Sequence, residues 1–204
     1  VGSFHPAKAV YLCPTLLQSL PDMEFKNGLG EVLKHAILSP DDELAHLLLQ
    51  QKQAVLSRQP AVVEEVVLRS LSIKRRYIEA DPREESGLRA ALNLGHTFAH
   101  ALEAVGNLSS WRHGEAVAWG TVKALQAGVM LGVTDRVFSQ AAVNLFESYG
   151  FDVHHPITNV SRFLEALEGD KKRQGGAIRF VIMQSQGRPR LEVLDEAVIR
   201  AVIG

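Results

Sequence analysis

The chain has little of several features that would narrow its function. Its one cysteine, Cys13, excludes an internal disulfide and is typical of a protein from the reducing cytoplasm. Neither sign of charge predominates, because 22 basic and 23 acidic residues leave a formal net charge of −1. No basic tract favours a nucleic-acid partner, and no apolar run is long enough to span a bilayer or to form a signal peptide. We therefore expect a cytoplasmic protein that binds neither nucleic acid nor membrane.

What the chain does have is helical patterning over most of its length. Its 204 residues, 46% of them hydrophobic, suffice for one substantial core. Apolar residues recur at helical spacing, which predicts helices over residues 22–38 and 60–80 among others. A further predicted helix, over residues 113–131, is so rich in alanine and valine that we expect it to be buried. The sequence predicts a single, mainly α domain over residues 1–204.

Two short regions have the patterning of strands instead. Residues 9–13 form an apolar run closed by a proline, which predicts a short N-terminal strand. Residues 178–183 and 191–194 alternate in polarity on either side of a Gly-Arg-Pro turn, which predicts a small β-hairpin near the C-terminus. Residues 169–176 are polar and glycine-bearing, and they predict a loop before the hairpin.

Four polar residues in the stretch 89–103 share one helical stripe. If this stretch is one helix, Arg89, Asn93, His96 and His100 fall at positions i, i+4, i+7 and i+11. The opposite side is apolar and suits a core. A guanidinium, an amide and two imidazoles together favour a site for an anionic, oxygen-rich ligand or for a metal. The alternative is a solvated polar face without a ligand.

A second group lies on the helix predicted over residues 22–38. Glu31, Lys34 and His35 fall at i, i+3 and i+4, so a carboxylate and an ammonium share one face. The simplest interpretation is an intrahelical ion pair. Gly28 and Gly30 weigh against it, because glycines destabilise a helix and often indicate that another group approaches closely.

A third histidine, His113, opens the alanine-rich helix and is either a capping residue or a metal ligand. Catalytic zinc typically binds three protein side chains, often two histidines and a carboxylate. Glu31, His96 and His113 would supply such a set from three helices. The spacing of His96 and His100, one helical turn apart, suggests that pair equally well.

Two neighbouring lysines, Lys171 and Lys172, lie in the predicted loop before the hairpin. They are either a solvated charge run or mobile cations that close over a phosphate.

Several separate segments resemble the 3-dehydroquinate synthase family. Residues 30–35, 87–103 and 113–117 carry the strongest similarity, and residues 2–4 and 170–172 add to it. The similarity spans essentially the whole chain, and the segments have the order and spacing of that family of sugar-phosphate cyclases.

The resemblance implies a lyase that depends on zinc, or another divalent metal such as cobalt, and on NAD. Members convert the seven-carbon sugar phosphate DAHP into 3-dehydroquinate with loss of phosphate, in the shikimate pathway of aromatic amino acid biosynthesis. By position in the motifs, the metal ligands would be Glu31, His96 and His113.

The resemblance also assigns the substrate contacts. The residues implied to bind the carboxylate, hydroxyls and phosphate of the substrate are Lys34, Lys74, Arg89, Asn93, His100, Lys171 and Lys172, with the choice between the two last lysines left open. Of these, Lys34, Asn93 and His100 match the positions closest to the chemistry. Histidine suits proton transfer to a phosphate, and the planar fork of arginine suits a carboxylate.

Two features depart from the family pattern. The loop between Asp81 and Gly87 is one residue longer than usual. The N-terminal NAD-binding domain of the family has no counterpart, so no cofactor-binding residue is assigned. The chain is therefore interpreted as the C-terminal half of an enzyme that is a homodimer when complete, and we expect it to be inactive alone.

Three other functions compete with this interpretation. A related cyclase that makes an inosose or a valiolone would not need carboxylate recognition by Arg89. A non-catalytic fragment would keep the helical fold only. A metal-dependent polyol dehydrogenase has a similar helical domain, but the residues Arg89, Asn93, His96 and His100 argue against it.

Overall fold

The structure is a computed structural model that describes residues 7–106, 111–174 and 178–204, with the backbone alone for residues 170–174. The α-helices in the described parts of the chain are α1 (Asp22–Leu38), α2 (Glu43–Gln50), α3 (Lys52–Leu56), α4 (Pro60–Ala80), α5 (His96–Val105), α6 (His113–Met130), α7 (Arg136–Ser148), α8 (Val160–Gln174) and α9 (Glu196–Ile203). Two 3₁₀ segments, Pro14–Ser19 and Arg89–Asn93, and two strands, β1 (Arg179–Met183) and β2 (Pro189–Val193), complete them. The predicted mainly α class with a small hairpin is confirmed.

Helix α6 forms the centre of the core, as its composition predicts. Its side chains are buried on all sides, including the fully buried Trp119. A helix that is apolar all round is stable only inside a protein. Helices α1, α5, α7 and α9 and strand β1 all pack against α6, so the elements that carry the candidate residues meet around it.

Two pairs of glycines let helices α1 and α5 approach α6 closely at its N-terminal half. A Cβ on Gly30 of α1 would overlap the carbonyl oxygen of Gly114 in α6, and a Cβ on Gly120 would overlap the carbonyl oxygen of Gly95. The close approach predicted from Gly30 is confirmed. At Gly28, no atom from another described part of the chain lies within 4 Å of where a Cβ would be, so the same expectation is wrong there.

The C-terminal hairpin is antiparallel, and its register pairs Arg179 with Val193 and Met183 with Pro189. Its turn lies against the end of α1, where the Gly187 amide donates to the carbonyl of Ile37 at 3.2 Å. The hairpin thus closes the side of the core next to α1 and α6.

The predicted N-terminal strand does not form. Residues 9–13 have no strand partner among the described residues, and Val10 and Tyr11 are 73% and 92% exposed. A strand needs a neighbouring strand for its backbone hydrogen bonds, which an apolar composition does not provide.

The predicted loop over residues 169–176 is also wrong as far as Gln174, because α8 continues to that residue. Lys, Arg and Gln favour a helix, and one interior glycine costs only about 1 kcal/mol. The rest of that predicted loop, residues 175–177, lies outside the described residues.

The stretch 89–103 is not one helix. It divides into the 3₁₀ segment Arg89–Asn93 and helix α5, which begins at His96. Leu94 is extended, and Gly95 has a φ of 79°, a left-handed conformation that ends any right-handed helix and that glycine adopts without strain. The predicted four-residue stripe on one helix is therefore wrong, although its members still lie near one another.

Within the described parts of the chain, we find no helix that combines the length and the hydropathy needed to cross a bilayer.

Candidate metal centre

Three side chains from three helices converge at one point. Glu31 extends from α1, His96 begins α5 and His113 begins α6. Their potential ligand atoms all lie within 4.8 Å of one another. The Glu31 Oε1 atom is 3.3 Å from His96 Nε2 and 3.4 Å from His113 Nε2. A carboxylate with two imidazoles is a donor set typical of a catalytic zinc site.

The other ring nitrogen of each histidine faces an oxygen acceptor. His96 Nδ1 lies 3.2 Å from the carbonyl oxygen of Leu94, and His113 Nδ1 lies 3.1 Å from Glu103 Oε1. A carbonyl only accepts hydrogen bonds, so the Leu94 contact places the proton of a neutral His96 on Nδ1. The same holds for His113 beside an ionised Glu103. Each Nε2 then directs a lone pair towards Glu31, which is the orientation that outer partners impose on metal-binding histidines.

One oxygen of the Glu31 carboxylate, Oε1, is buried and accepts no hydrogen bond from any residue that the structure describes. With two imidazole lone pairs directed at the same point, a divalent cation would satisfy all three groups at once. The residues present therefore fit the metal that the sequence resemblance implies, and the assignment of Glu31, His96 and His113 as its ligands stays a prediction.

The second Glu31 oxygen pairs with a buried lysine. Lys34 Nζ lies 2.7 Å from Glu31 Oε2 and also donates to the carbonyl of Leu92 at 2.7 Å, while only 2% of the residue is exposed. Burial raises the pKa of Glu31, but His96, in the form whose Nε2 carries a proton, and the Lys34 ammonium outweigh it and hold that pKa well below its usual range. Burial lowers the pKa of Lys34, and Glu31 opposes the shift. The intrahelical ion pair considered from the sequence exists, and it joins a buried lysine to a half-buried glutamate at the candidate site.

His35 lies behind this pair. Its Nδ1 is 2.7 Å from Ser70 Oγ on α4, and its Nε2 is 4.0 Å from Glu31 Oε2. Burial, together with the charge of Lys34, lowers the pKa of His35 to about 4. His35 is therefore neutral at pH 7 and supports the wall of the site without adding charge.

A cavity of about 450 Å³ opens beside the three converging side chains. Its walls are formed by Glu31, Lys34, His35, Lys74, Glu84, Arg89, Leu92, Asn93, His96 and His113. Four residues predicted to bind substrate, Lys34, Lys74, Arg89 and Asn93, thus reach one cavity. Arg89 and Asn93 line this cavity together with His96 although the three do not share one helix, because the chain turns at Gly95 between Asn93 and His96.

His100 is placed differently from the other predicted residues. It is exposed, and it does not line this cavity. Its ring centroid lies 5.7 Å from that of His96 and 6.5 Å from that of His113, with which it is stacked. Of the two histidine pairs left open by the spacing, His96 with His113 is the one whose ring nitrogens converge on Glu31.

Two parts of the sequence-based site lie outside the described residues. The side chains of Lys171 and Lys172 are not described, although their backbone belongs to α8, and neither are residues 2–4. The roles predicted for both lysines remain predictions.

Several residues at the site had no role assigned from the sequence. Glu103 orients His113, and Asn27 holds the start of α6 against α1, because its Oδ1 accepts from the Gly114 amide at 2.6 Å. Glu84 lines the cavity from the loop that follows α4. Glu103 lies within the stretch that carries the family resemblance, which was the only available signal for it. The helix-to-helix contact of Asn27 has no local signal at all.

Comparison with known proteins identifies the family of the chain. The family model described as 3-dehydroquinate synthase C-terminal matches residues 28–173, which include every residue of the converging cluster. The chain belongs to the 3-dehydroquinate synthase family. The resemblance predicted from the separate sequence segments is thereby confirmed.

Curated relatives extend the similarity over nearly the whole chain. The 3-dehydroquinate synthase of Nitrosomonas europaea is 39% identical over 191 residues, which are 92% of this chain and 50% of that protein. The 3-dehydroquinate synthase of Halorhodospira halophila is 37% identical over 208 residues, which cover 99% of this chain and 58% of that protein. The chain thus spans about half the length of these members of the family.

Solved structures show the same fold at lower sequence identity. The 2-epi-5-epi-valiolone synthase of Streptomyces hygroscopicus subsp. jinggangensis, with NAD+ and Zn2+ bound, has a TM-score of 0.85 and 23% identity over 99% of this chain and 56% of its own. A 2-deoxy-scyllo-inosose synthase complexed with carbaglucose-6-phosphate, NAD+ and Co2+ has a TM-score of 0.79 and 20% identity over 93% of this chain and 54% of its own. The fold of this family member is therefore shared with other cyclases.

Proposed function

We propose that this chain is the metal- and substrate-binding half of an enzyme that converts DAHP into 3-dehydroquinate with loss of phosphate. The observation that carries the proposal is the convergence of Glu31, His96 and His113 at the wall of a cavity that also contains two lysines and an arginine. Metal-type ligands beside a cationic cavity suit a substrate with hydroxyl groups and negative charges. The membership of the chain in the 3-dehydroquinate synthase family supports the reaction.

The metal that the family implies would be held by Glu31, His96 and His113. When bound, a divalent metal such as zinc or cobalt supplies Lewis acidity at a substrate hydroxyl, and NAD supplies reversible oxidation at that carbon. The chain contributes the preset orientation of both imidazoles through Leu94 and Glu103. It also contributes the Lys34 charge, which keeps the Glu31 carboxylate ionised.

The remaining cavity residues would bind the substrate. Arg89 has a planar donor fork that suits the carboxylate of DAHP, and Lys74 is an exposed cation on the same wall. Asn93 offers both a donor and an acceptor to hydroxyl groups. His100, beside His113 on the exposed side, would transfer a proton to the leaving phosphate with help from Lys171 or Lys172.

The complete activity, we propose, requires a second domain that binds NAD, within a homodimeric enzyme in the cytoplasm. The chain spans 50% of the Nitrosomonas europaea relative. The exposed apolar side chains of Val10 and Tyr11 also suit contact with another part of an enzyme. The test is an assay of the 204-residue chain alone with DAHP, NAD and zinc. We expect no 3-dehydroquinate, and sustained turnover would refute the requirement.

Substrate recognition can be tested separately from turnover. We expect the zinc-loaded chain to bind DAHP in a calorimetric titration. Glucose 6-phosphate, which has no carboxylate, should bind at least about tenfold more weakly. The reason is that a charge-assisted hydrogen-bonded pair contributes more than about 1 kcal/mol to the binding free energy. Arg89→Ala should remove that preference. Arg83→Ala is the control, because Arg83 is exposed on the same loop and does not line the cavity. Equal affinity of Arg89→Ala and wild type for DAHP would instead favour a cyclase of the inosose or valiolone type.

A further inference from the structure

The loop that carries Arg89 is closed by one aspartate. Asp81 ends α4, where its amide donates to the carbonyl of Tyr77 at 3.2 Å. It is only 4% exposed, whereas residues 82–86 after it are exposed. A carboxylate at the C-terminal end of a helix is unfavourable, because that end carries the negative pole of the helix dipole. Other contacts must therefore account for a buried aspartate at this position.

Those contacts come from the backbone of the loop itself. Asp81 Oδ1 accepts from the amides of Glu85 at 2.8 Å and Ser86 at 3.3 Å, and Oδ2 accepts from the amide of Arg89 at 3.2 Å. Burial raises the pKa of Asp81, but these amides outweigh it and lower the pKa to about 2. The carboxylate is thus ionised at neutral pH and joins the end of α4 to the middle and the last residue of the loop.

Arg89 is held by this loop at both ends. Its amide donates to Asp81, and its guanidinium Nη1 donates to the carbonyl of Pro82 at 2.9 Å. The Pro82 carbonyl belongs to the segment that Asp81 closes. The same segment directs Glu84, whose φ is 58°, to the wall of the candidate cavity. The position of the guanidinium therefore depends on a loop conformation that Asp81 maintains.

We propose that Asp81 is a positioning residue that fixes the loop over residues 82–89 and so orients Arg89 for binding a carboxylate. The ligand class rests on the proposed function, whereas the control of Arg89 by Asp81 does not. Asp81 does not line the cavity and acts only through the loop.

The first test measures the loop in the unliganded chain. In Asp81→Asn, the side chain keeps its shape but loses its charge. One of the two acceptor oxygens is replaced by an NH₂ group, which cannot accept a hydrogen bond from the loop amides. We expect hydrogen exchange of the Glu85 and Arg89 amides, followed by NMR, to become faster by about tenfold or more, because hydrogen bonds to charged groups are the stronger ones.

The matched control is Asp135→Asn. Asp135 also accepts from a backbone amide, that of Phe138 at 2.8 Å, but it caps α7 away from the site. Asparagine is as good an N-cap as aspartate. We expect exchange at Glu85 and Arg89 to be unchanged in this variant.

The second test asks whether Asp81 acts through Arg89. The affinity of the zinc-loaded chain for DAHP is measured in wild type, Asp81→Asn, Arg89→Ala and the double variant. If Asp81 positions Arg89, Asp81→Asn weakens DAHP binding about tenfold when Arg89 is present. The same substitution has no effect on the affinity of the Arg89→Ala chain, because the side chain through which Asp81 acts is already missing. A merely structural role would weaken binding by the same factor in both backgrounds.

Each outcome decides the proposal. Unchanged amide exchange in Asp81→Asn would overturn it, and so would additive effects in the double variant. If the wild-type chain bound no DAHP, the proposed function would fail. The NMR of the Arg89 side-chain Nε–H would then decide the positioning claim: an altered signal in Asp81→Asn supports it, and an unaltered signal overturns it.

Discussion

Gly30→Ala tests how the candidate site is assembled. Gly30 lies one residue before Glu31, and Gly114 lies one residue after His113. A methyl group on Gly30 would overlap the backbone carbonyl of Gly114, well inside the 3.0 Å that real Cβ atoms keep. A backbone carbonyl within α6 has no rotamer with which to move aside. Helices α1 and α6 would have to separate, and Glu31 and His113 would separate with them.

The size of the effect follows from two opposing terms. Overpacking of this kind costs about 1–3 kcal/mol of unfolding free energy. Replacing an interior helical glycine by alanine returns about 1 kcal/mol of helix propensity. Gly28→Ala is the matched control, because the same helix gains the same propensity at a position where the added Cβ meets no other described part of the chain within 4 Å. Gly30→Ala should therefore be about 1–3 kcal/mol less stable than Gly28→Ala.

Zinc affinity should respond more sharply than stability. Metal–ligand distances tolerate only about 0.2 Å of change, and the helix shift required here is larger. We expect Gly30→Ala to bind zinc at least about tenfold more weakly than wild type, and Gly28→Ala to bind it as wild type does. Urea unfolding gives the stability, and competition with a chromophoric chelator gives the affinity. A Gly30→Ala chain that matched Gly28→Ala in both measurements would refute the reasoning.

Further predictions concern the groups around the site. Glu103→Gln should weaken zinc binding about 10–100-fold, because a neutral amide oxygen is a weaker acceptor than a carboxylate for the His113 Nδ1–H group. Glu147→Gln, at the surface pair with His154 Nε2 at 2.6 Å, should leave zinc binding unchanged. Equal effects of the two substitutions in the chelator assay would contradict the orienting role. Because the folded pKa of Asp81 is lowered from 3.8 to about 2, its stabilisation is complete above pH 3.8 and is lost as the pH falls through about 2. Urea unfolding between pH 5 and 2 should therefore show a smaller loss of stability in Asp81→Asn, and identical profiles would contradict the assignment. Tyr11→Ser should change the unfolding free energy by less than about 0.5 kcal/mol, as is usual for surface positions, since Tyr11 is 92% exposed; a larger change would mean that Tyr11 packs on this domain.

Much of the fold could be predicted from periodicity alone. Helices α4 and α6 follow from regular apolar spacing, and the hairpin follows from alternation around a glycine-containing turn. Each of these signals lies within a short continuous segment, so it can be recognised without knowledge of the tertiary structure. The predicted strand over residues 9–13 failed because a strand is defined by a partner, and composition does not supply one.

The break at Gly95 shows why the site was harder to predict than the fold. A glycine inside a helical pattern lowers the stability of the helix by only about 1 kcal/mol relative to alanine. The pattern of residues 89–103 therefore predicts one helix. What decides the outcome is the contact of Gly95 with α6, where a Cβ would overlap the backbone of Thr121. Tertiary packing therefore fixed a left-handed residue at a position where the local pattern allowed a helix.

The grouping of Glu31, His96 and His113 came from the family resemblance, since spacing also allowed His96 with His100. Some contacts around the site have no local signal in the sequence. Asp81 precedes a proline, which indicates only the end of a helix, and no pattern singles out Asn27. Both act across distances that only the folded chain brings together.

The most direct measurement of the central claim is the coordination of zinc in the 204-residue chain, from X-ray absorption spectroscopy with a parallel stoichiometry. We predict one zinc per chain with two imidazole ligands and further oxygen ligands. We predict that His96→Ala and His113→Ala each lose one imidazole ligand and that His100→Ala loses none. The assignment of the ligands is wrong if no zinc binds, or if His113→Ala keeps both imidazole ligands while His100→Ala loses one.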